Sequence, residues 1–325
     1  MIAFIKRNRI GVWLWLYAIL LFHLSWVQMP TITQQFATPI SNLFNTFTIQ
    51  LLGQYAGLSL VFVLWLVLVI LQAIGVNGVL SNAGLIPQKS GVGALVFVLF
   101  MAFFQQEYYF SVIFWINFLF IAAAHYALQS YNQRNFAYLF NMGLSVGVGI
   151  FSLFSVLGLA FLPLIYIFNT RIFNWKEWIV VLAGLTMPWY LSFVFLYLTD
   201  QLYWFNNIVF IPHEVAIFHH KIFWIGGAIM LFIFVSLLLP NLLMQYRRLI
   251  IKNRKYVMFF LWWIILLIAN LIVIQFDSVL AYLPLFVVPF GFILAVRIQN
   301  MPNSIWIETA HIVLLLLVVL LPYLL

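Results

Sequence analysis

The sequence predicts an all-α integral membrane protein, a single transmembrane domain over residues 1–325 built as a polytopic bundle of about 11 helices. Three observations carry this reading. First, of 325 residues 66% are hydrophobic and only 6% are charged, whereas a soluble domain carries roughly 25% charged residues. Such a chain cannot cover a water-facing surface. Second, mean hydropathy is +1.14. Third, the apolar residues fall into runs near the length of about 20 residues that crosses a bilayer core, and the charges collect between them. The composition excludes a soluble enzyme, a disordered chain and a nucleic-acid-binding domain, and with it nucleic acid as a partner. The net charge of +8 suits cytoplasmic loops rich in Lys and Arg. With no cysteine in the chain, disulfides, thiolate metal sites and cysteine nucleophiles are excluded as well.

Each element follows from the spacing of charges and breakers. Lys6, Arg7 and Arg9 precede an apolar, aromatic run from Ile10 to Met29. It is too long for a cleaved signal and lacks a small-residue cleavage site. We read it as a first span near 10–29 with its N-terminus in the cytoplasm. Pro30 and Pro39 break the outer loop that follows. Ile40, Leu43, Phe44, Phe47 and Leu51 share one face of a surface-lying helix near 41–54, opposite Asn42, Asn45, Thr46 and Gln50; lacking a basic polar face, it suits packing against the spans equally well. A second span lies near 56–74, a Gly- and Asn-rich loop with Lys89 over 75–90, a third span near 91–106, and a fourth near 110–128 before Arg134.

The uncharged stretch from Phe136 to Phe168 would measure about 50 Å as one helix, too long for a core of about 30 Å. It is predicted as two short spans with a tight turn near Ser152–Ser155, and Gly143, Gly147 and Gly149 would let them pack closely. Arg171, Lys176 and Glu177 form the next cytoplasmic loop, and a seventh span runs near 178–198. A polar outer loop near 199–221 leads to an eighth span near 222–240. The basic loop 247–255 precedes spans near 257–275, 279–296 and 305–324. On this layout thirteen of the fourteen Lys and Arg face the cytoplasm, Lys221 alone lying outside. Glu107, Asp200, Glu214 and Asp277 lie outside, Glu177 and Glu308 inside.

Candidate chemistry concentrates at the outer boundary. Glu107 follows Gln105 and Gln106 and precedes Tyr108 and Tyr109. A carboxylate at a membrane boundary must face water, protein or a cation, so Glu107 is the candidate catalytic base, with an interfacial acid beside an aromatic belt as the plainer account. Asp200 at the end of the seventh span reads most plainly as a solvated helix end; with Tyr203 and Trp204 it also combines an acid with an aromatic platform, a common build for sugar binding. His213, Glu214, His219, His220 and Lys221 form the densest polar cluster and join them as candidate substrate-binding residues; Lys221 and protonated histidines would grip a phosphate. Imidazole with carboxylate also suits zinc, but the spacing is not His-Glu-x-x-His. No metal ligand is assigned, and a divalent metal ion is the one cofactor class these groups would suit. Within the spans, His23, Gln72, Asn117, His125, Asn141, Asn270, Gln275 and His311 are expected to hydrogen-bond between helices. No acid falls near mid-span, which counts against a proton-coupled carrier. No nucleotide-binding loop or Ser-His-Asp set is present.

The layout is similar to that of a known superfamily. A first span, an outer loop with a surface-lying helix, Glu107 on the next outer loop, and a short glycine-rich double span from Phe140-Asn141-Met142-Gly143-Leu144 through Leu162-Pro163 together resemble the C-type glycosyltransferase superfamily. The stretch Arg171 to Trp178, with Gly184 and Pro188 after it, also looks like a bacterial multi-pass family of similar layout. The resemblance covers about the first 200 residues. It implies a bacterial inner-membrane location and a polyprenyl-phosphate-linked sugar as the partner, handled at the outer face. The superfamily's acidic residue in the first outer loop has no counterpart here, since residues 30–55 contain neither Asp nor Glu. Three functions are therefore expected in descending order: an enzyme of envelope glycan assembly, a non-catalytic scaffold subunit bound to a membrane-protein partner, and a lipid flippase or small-solute carrier. Membrane lipids are partners in all three.

Overall fold

The computed structural model describes residues 58–104, 112–133, 135–152, 154–170, 174–200, 250–273 and 283–300. Among the described residues the fold is all-helical, with no strand. The α-helices are α1 Leu58–Asn82, α2 Val92–Phe104, α3 Val112–Asn132, α4 Phe136–Ser152, α5 Phe161–Thr170, α6 Trp175–Leu198, α7 Ile251–Val273 and α8 Val287–Asn300. Short 3-10 segments at Phe154–Ala160 and Leu283–Phe286 lead into α5 and α8. The first span, the surface-lying helix near 41–54 and the eighth and eleventh spans lie outside the described residues.

The split of the Phe136–Phe168 stretch holds, and the reason is visible. Chain direction reverses through the 3-10 segment, where Val156 has non-helical backbone angles. The ten residues of α5 rise about 15 Å, against about 26 Å for the 17 of α4, and the part of the 3-10 segment beyond Val156 lengthens this shorter return arm.

The glycines act across the next interface. A Cβ on Gly143 would stand 2.5 Å from the Val181 carbonyl oxygen, and one on Gly147 2.5 Å from that of Leu185. From the other side, a Cβ on Gly184 would meet the Phe140 carbonyl and stand 2.9 Å from the Leu144 nitrogen. The α4 and α6 backbones therefore touch. The pairs advance together along both chains and Phe151 meets Trp189 edge-on at 5.2 Å, so the two helices run parallel, with α5 returning between them in sequence. Gly149 faces α3 instead, beside Phe120. Pro188, inside α6, sits on the same buried stripe as Val181, Gly184 and Leu185. The opposite side of α6 exposes Ile179, Leu182, Tyr190, Phe193 and Tyr197.

Several boundaries differ from the sequence reading. α1 continues to Asn82 through the predicted loop 75–90, and the turn shrinks to residues 83–91. Gly75 nestles against Ile121, and Asn77 donates to the Ser90 carbonyl at 3.0 Å, so tertiary contacts outweigh the low helix propensity of these residues. α6 starts before Lys176 and Glu177, because Asn174 caps it: the Asn174 side chain accepts from the Lys176 N–H at 3.2 Å. α7 takes in Lys252, Arg254 and Lys255 as its first turn rather than leaving them in a loop.

The largest fully buried side chains of the core are aromatic. Trp263 packs edge-on to Phe120 at 5.4 Å, Tyr166 edge-on to Phe259 at 5.2 Å, and Phe260 stacks on Phe292 at 4.5 Å. These rings tie α3, α5, α7 and α8 together. α8 also packs on α2, where Gly291 faces Phe97. By length and composition, one described helix, Trp175–Leu198, is long and apolar enough to cross a membrane. Its 24 residues rise about 36 Å.

Gly184→Val places new atoms against backbone that has nowhere to go, and is expected to cost about 1–3 kcal/mol. Gly78→Ala, whose Cβ meets nothing within 4 Å, should leave stability unchanged or raise it by up to about 1 kcal/mol. Thermal unfolding of both variants in one detergent checks the pair; equal midpoints would remove the close-packing account.

Candidate functional site

Contacts between helices sort the chain ends onto two poles. Ser90 Oγ donates to Gln299 Oε1 at 2.9 Å, which puts the α1–α2 turn beside the end of α8. Lys255 Nζ donates to the Thr170 carbonyl at 2.9 Å, and Asn169 Nδ2 to the Lys255 carbonyl at 3.2 Å, which puts the end of α5 beside the start of α7. Tyr256 Oη donates to the Leu128 carbonyl at 3.2 Å, adding the end of α3. Asn117, near the start of α3, meets the Pro284 carbonyl before α8, so α8 ends toward the end of α3, and every described Lys and Arg lies at one pole: Lys89, Lys176, Lys252, Arg254, Lys255 and Arg297. Of the two described acids, Glu177 shares that pole and Asp200 lies at the other.

Asp200 is the one predicted site residue among the described residues. It ends α6, fully outside the packed stripe, with its N–H donating to the Tyr197 carbonyl at 3.2 Å. Its φ of 53° places it in the left-handed region, and no other described non-glycine residue has a positive φ. That region is uncommon for non-glycine residues, Asp and Asn being among the enriched exceptions. An acid here also faces the negative end of the helix dipole, where a cation would be favoured. Asp200 thus closes the helix in the left-handed turn common after a C-cap, its N–H satisfying one of the last carbonyls. Glu107, Tyr203, Trp204, His213, Glu214, His219, His220 and Lys221 lie outside the described residues.

The amides within the helices are committed to packing. Gln72 Nε2 donates to the Phe114 carbonyl at 2.9 Å, linking α1 to α3. Asn117 Nδ2 donates to the Pro284 carbonyl at 3.2 Å, pinning the 3-10 segment before α8. Asn270 Oδ1 accepts from the Gly158 N–H at 3.1 Å, capping the break between α4 and α5 from α7. His125 sits against the neighbouring Tyr126 ring. Among the described residues no group of three or more His, Asp or Glu is placed to hold a metal ion.

Two features at the cation pole escaped sequence reasoning. Arg297 is 5% exposed, and its Nε and Nη1 are buried with no hydrogen-bond partner among the described residues. The lysines of α7 build against tyrosine rings: Lys255 Nζ lies 5.8 Å from the Tyr131 centroid, Lys252 Nζ 5.7 Å from that of Tyr256, and the two rings meet edge-on at 5.5 Å. The spacing of Lys252 and Lys255 by three on a helix was the available signal, hidden because the segment read as a loop.

Asn270→Ala leaves the Gly158 N–H without its cap and is expected to cost about 1–3 kcal/mol. Asn141→Ala, whose side chain makes no hydrogen bond among the described residues, should cost less. Chemical unfolding followed by tryptophan fluorescence compares them. Comparison of the chain with family models, with curated proteins and with solved structures finds no match.

Proposed function

We propose that the chain is a multi-pass protein of the bacterial inner membrane that handles a polyprenyl-phosphate-linked sugar at the outer face, in envelope glycan assembly. The observation that carries the reading is the polarity of the bundle. Six described cations gather at one pole and the exposed Asp200 stands at the other. Lys and Arg mark the cytoplasmic side of membrane proteins, so in this reading Asp200 falls on the outer face, where a carboxylate can meet a sugar hydroxyl.

In this proposal Glu107 takes the proton from an acceptor hydroxyl. The freed oxygen attacks the anomeric carbon, and the polyprenyl phosphate leaves with the electrons of the broken C–O bond. Asp200, Tyr203 and Trp204 hold the sugar. His213, Glu214, His219, His220 and Lys221 surround the phosphate, with Lys221 and protonated His213 meeting its charge. The scaffold-subunit alternative is favoured by one specific observation, the lack of any Asp or Glu in residues 30–55.

Two experiments test the proposal. Because the chain has no cysteine, single-cysteine variants label cleanly. Asp200→Cys should react with an impermeant maleimide on intact cells stripped of the outer barrier, and Lys89→Cys only after permeabilisation. The reverse pattern sinks the orientation. Envelope-glycan profiles of cells lacking the protein should show a loss that wild type restores and Glu107→Gln, inserted at equal level, does not. If the Gln form restores the glycan fully, Glu107 is no base and the scaffold reading replaces the enzyme.

A further inference from the structure

At the cation pole, two lysines of α7 carry positive charge with no carboxylate beside them among the described residues. Lys252 and Lys255 stand three apart on α7, so their stems are neighbours on one helix face. Neither has a carboxylate partner among the described residues. The helix dipole adds to the problem, because its positive end lies at the same turn, and α7 has no acid in that turn. Two ammonium groups and a helix N-terminus repel one another unless an anion sits among them.

The two lysines are not loose on a solvated loop. Lys255 is fixed by the Thr170 carbonyl and the Tyr131 ring, and Lys252 lies over Tyr256. Lys255 Nζ spends one of its three donors on Thr170, which leaves two for a ligand. Both lysines are half-buried, where an anion is screened less than at an open surface.

The surroundings choose among anions. On the membrane side of the lysines the surface turns apolar: Phe168, 80% exposed, adjoins Asn169, which bonds the Lys255 backbone. A free phosphate has no use for that apolar neighbour. A phospholipid places its phosphate on the lysines and an acyl chain along Phe168.

We propose that the junction of α3, α5 and α7, through Lys252 and Lys255, is a binding site for the phosphate of an anionic glycerophospholipid in the cytoplasmic leaflet. This inference rests on the membrane-spanning reading and is independent of the sugar chemistry at the opposite pole.

The test uses the full chain purified in a neutral detergent. Retained lipid is counted by native mass spectrometry after addition of phosphatidylglycerol, phosphatidylcholine or inorganic phosphate. Wild type should retain phosphatidylglycerol in preference to phosphatidylcholine, and millimolar phosphate should not displace it. A juxtamembrane lysine contributes about fivefold in affinity for an anionic surface, so Lys252→Gln should weaken retention about fivefold. Lys255→Arg keeps the charge and should retain the lipid, whereas Lys255→Gln should not. Lys252→Gln leaves the Lys255–Thr170 bond in place, so it guards against a mere folding defect. Equal retention of the two lipids, equal retention by wild type and Lys252→Gln, or full displacement by phosphate each overturns the site. Failure of the spanning reading looks different: the protein would then not float with vesicles of either lipid.

Discussion

The contact of the α4 and α6 backbones is the constraint on which the other helices depend. Gly143 and Gly147 meet Val181 and Leu185, and Gly184 fills the reciprocal position against Phe140 and Leu144. Dispersion between closely approached backbones, with weak Cα–H to carbonyl contacts, is what small residues allow at a helix interface. Because the pair is parallel, the chain must cross back between its two members. That requirement creates the short return arm, its 3-10 stretch and the need for Asn270 to cap Gly158. The cap fixes α7 to the break, and the α7 rings then collect α3 and α8.

Much of this was legible in the sequence. The uncharged run from Phe136 was too long for one helix, and the turn expected near Ser152–Ser155 falls close to the kink at Val156. The glycines announced close packing but were assigned the wrong partner: the two short spans were expected to meet through them, whereas Gly143 and Gly147 face α6 and Gly149 faces α3. What misled was local composition. Gly75, Asn77 and Gly78 read as a loop, yet α1 carries on through them because Asn77 finds Ser90 and Gly75 finds Ile121. Lys176 and Glu177 read as loop charges, yet Glu177 is buried in the first turn of α6, where its charge suits the dipole. Periodicity marks the apolar middle of a helix well and its charged ends poorly.

The candidate site was legible only as residue types. Asp200 was found as the end of an apolar run, but its positive φ comes from chain geometry that no sequence pattern displays. The gathering of six cations at one pole was implied by loop alternation and follows independently from side-chain contacts such as Ser90 to Gln299 and Lys255 to Thr170. The burial of Arg297 and the tyrosine seats of Lys252 and Lys255 depend on helices distant in sequence, so they were beyond reach of any local reading.

The parallel pairing of α4 and α6 also sets an order on biogenesis. When α4 leaves the ribosome, its glycine groove has no occupant, since the matching surface belongs to a helix not yet translated. Neighbouring antiparallel helices, such as α1 and α2, can zip up as soon as their turn is made. The α4 groove must wait while α5 is synthesised and turned back, and loop closure of this kind is entropically slower than a local hairpin. For that interval the groove is open to any helix with small residues on one face, including a second nascent copy of α6. The tight fit that fixes the finished bundle thus exposes this step of assembly to mispairing.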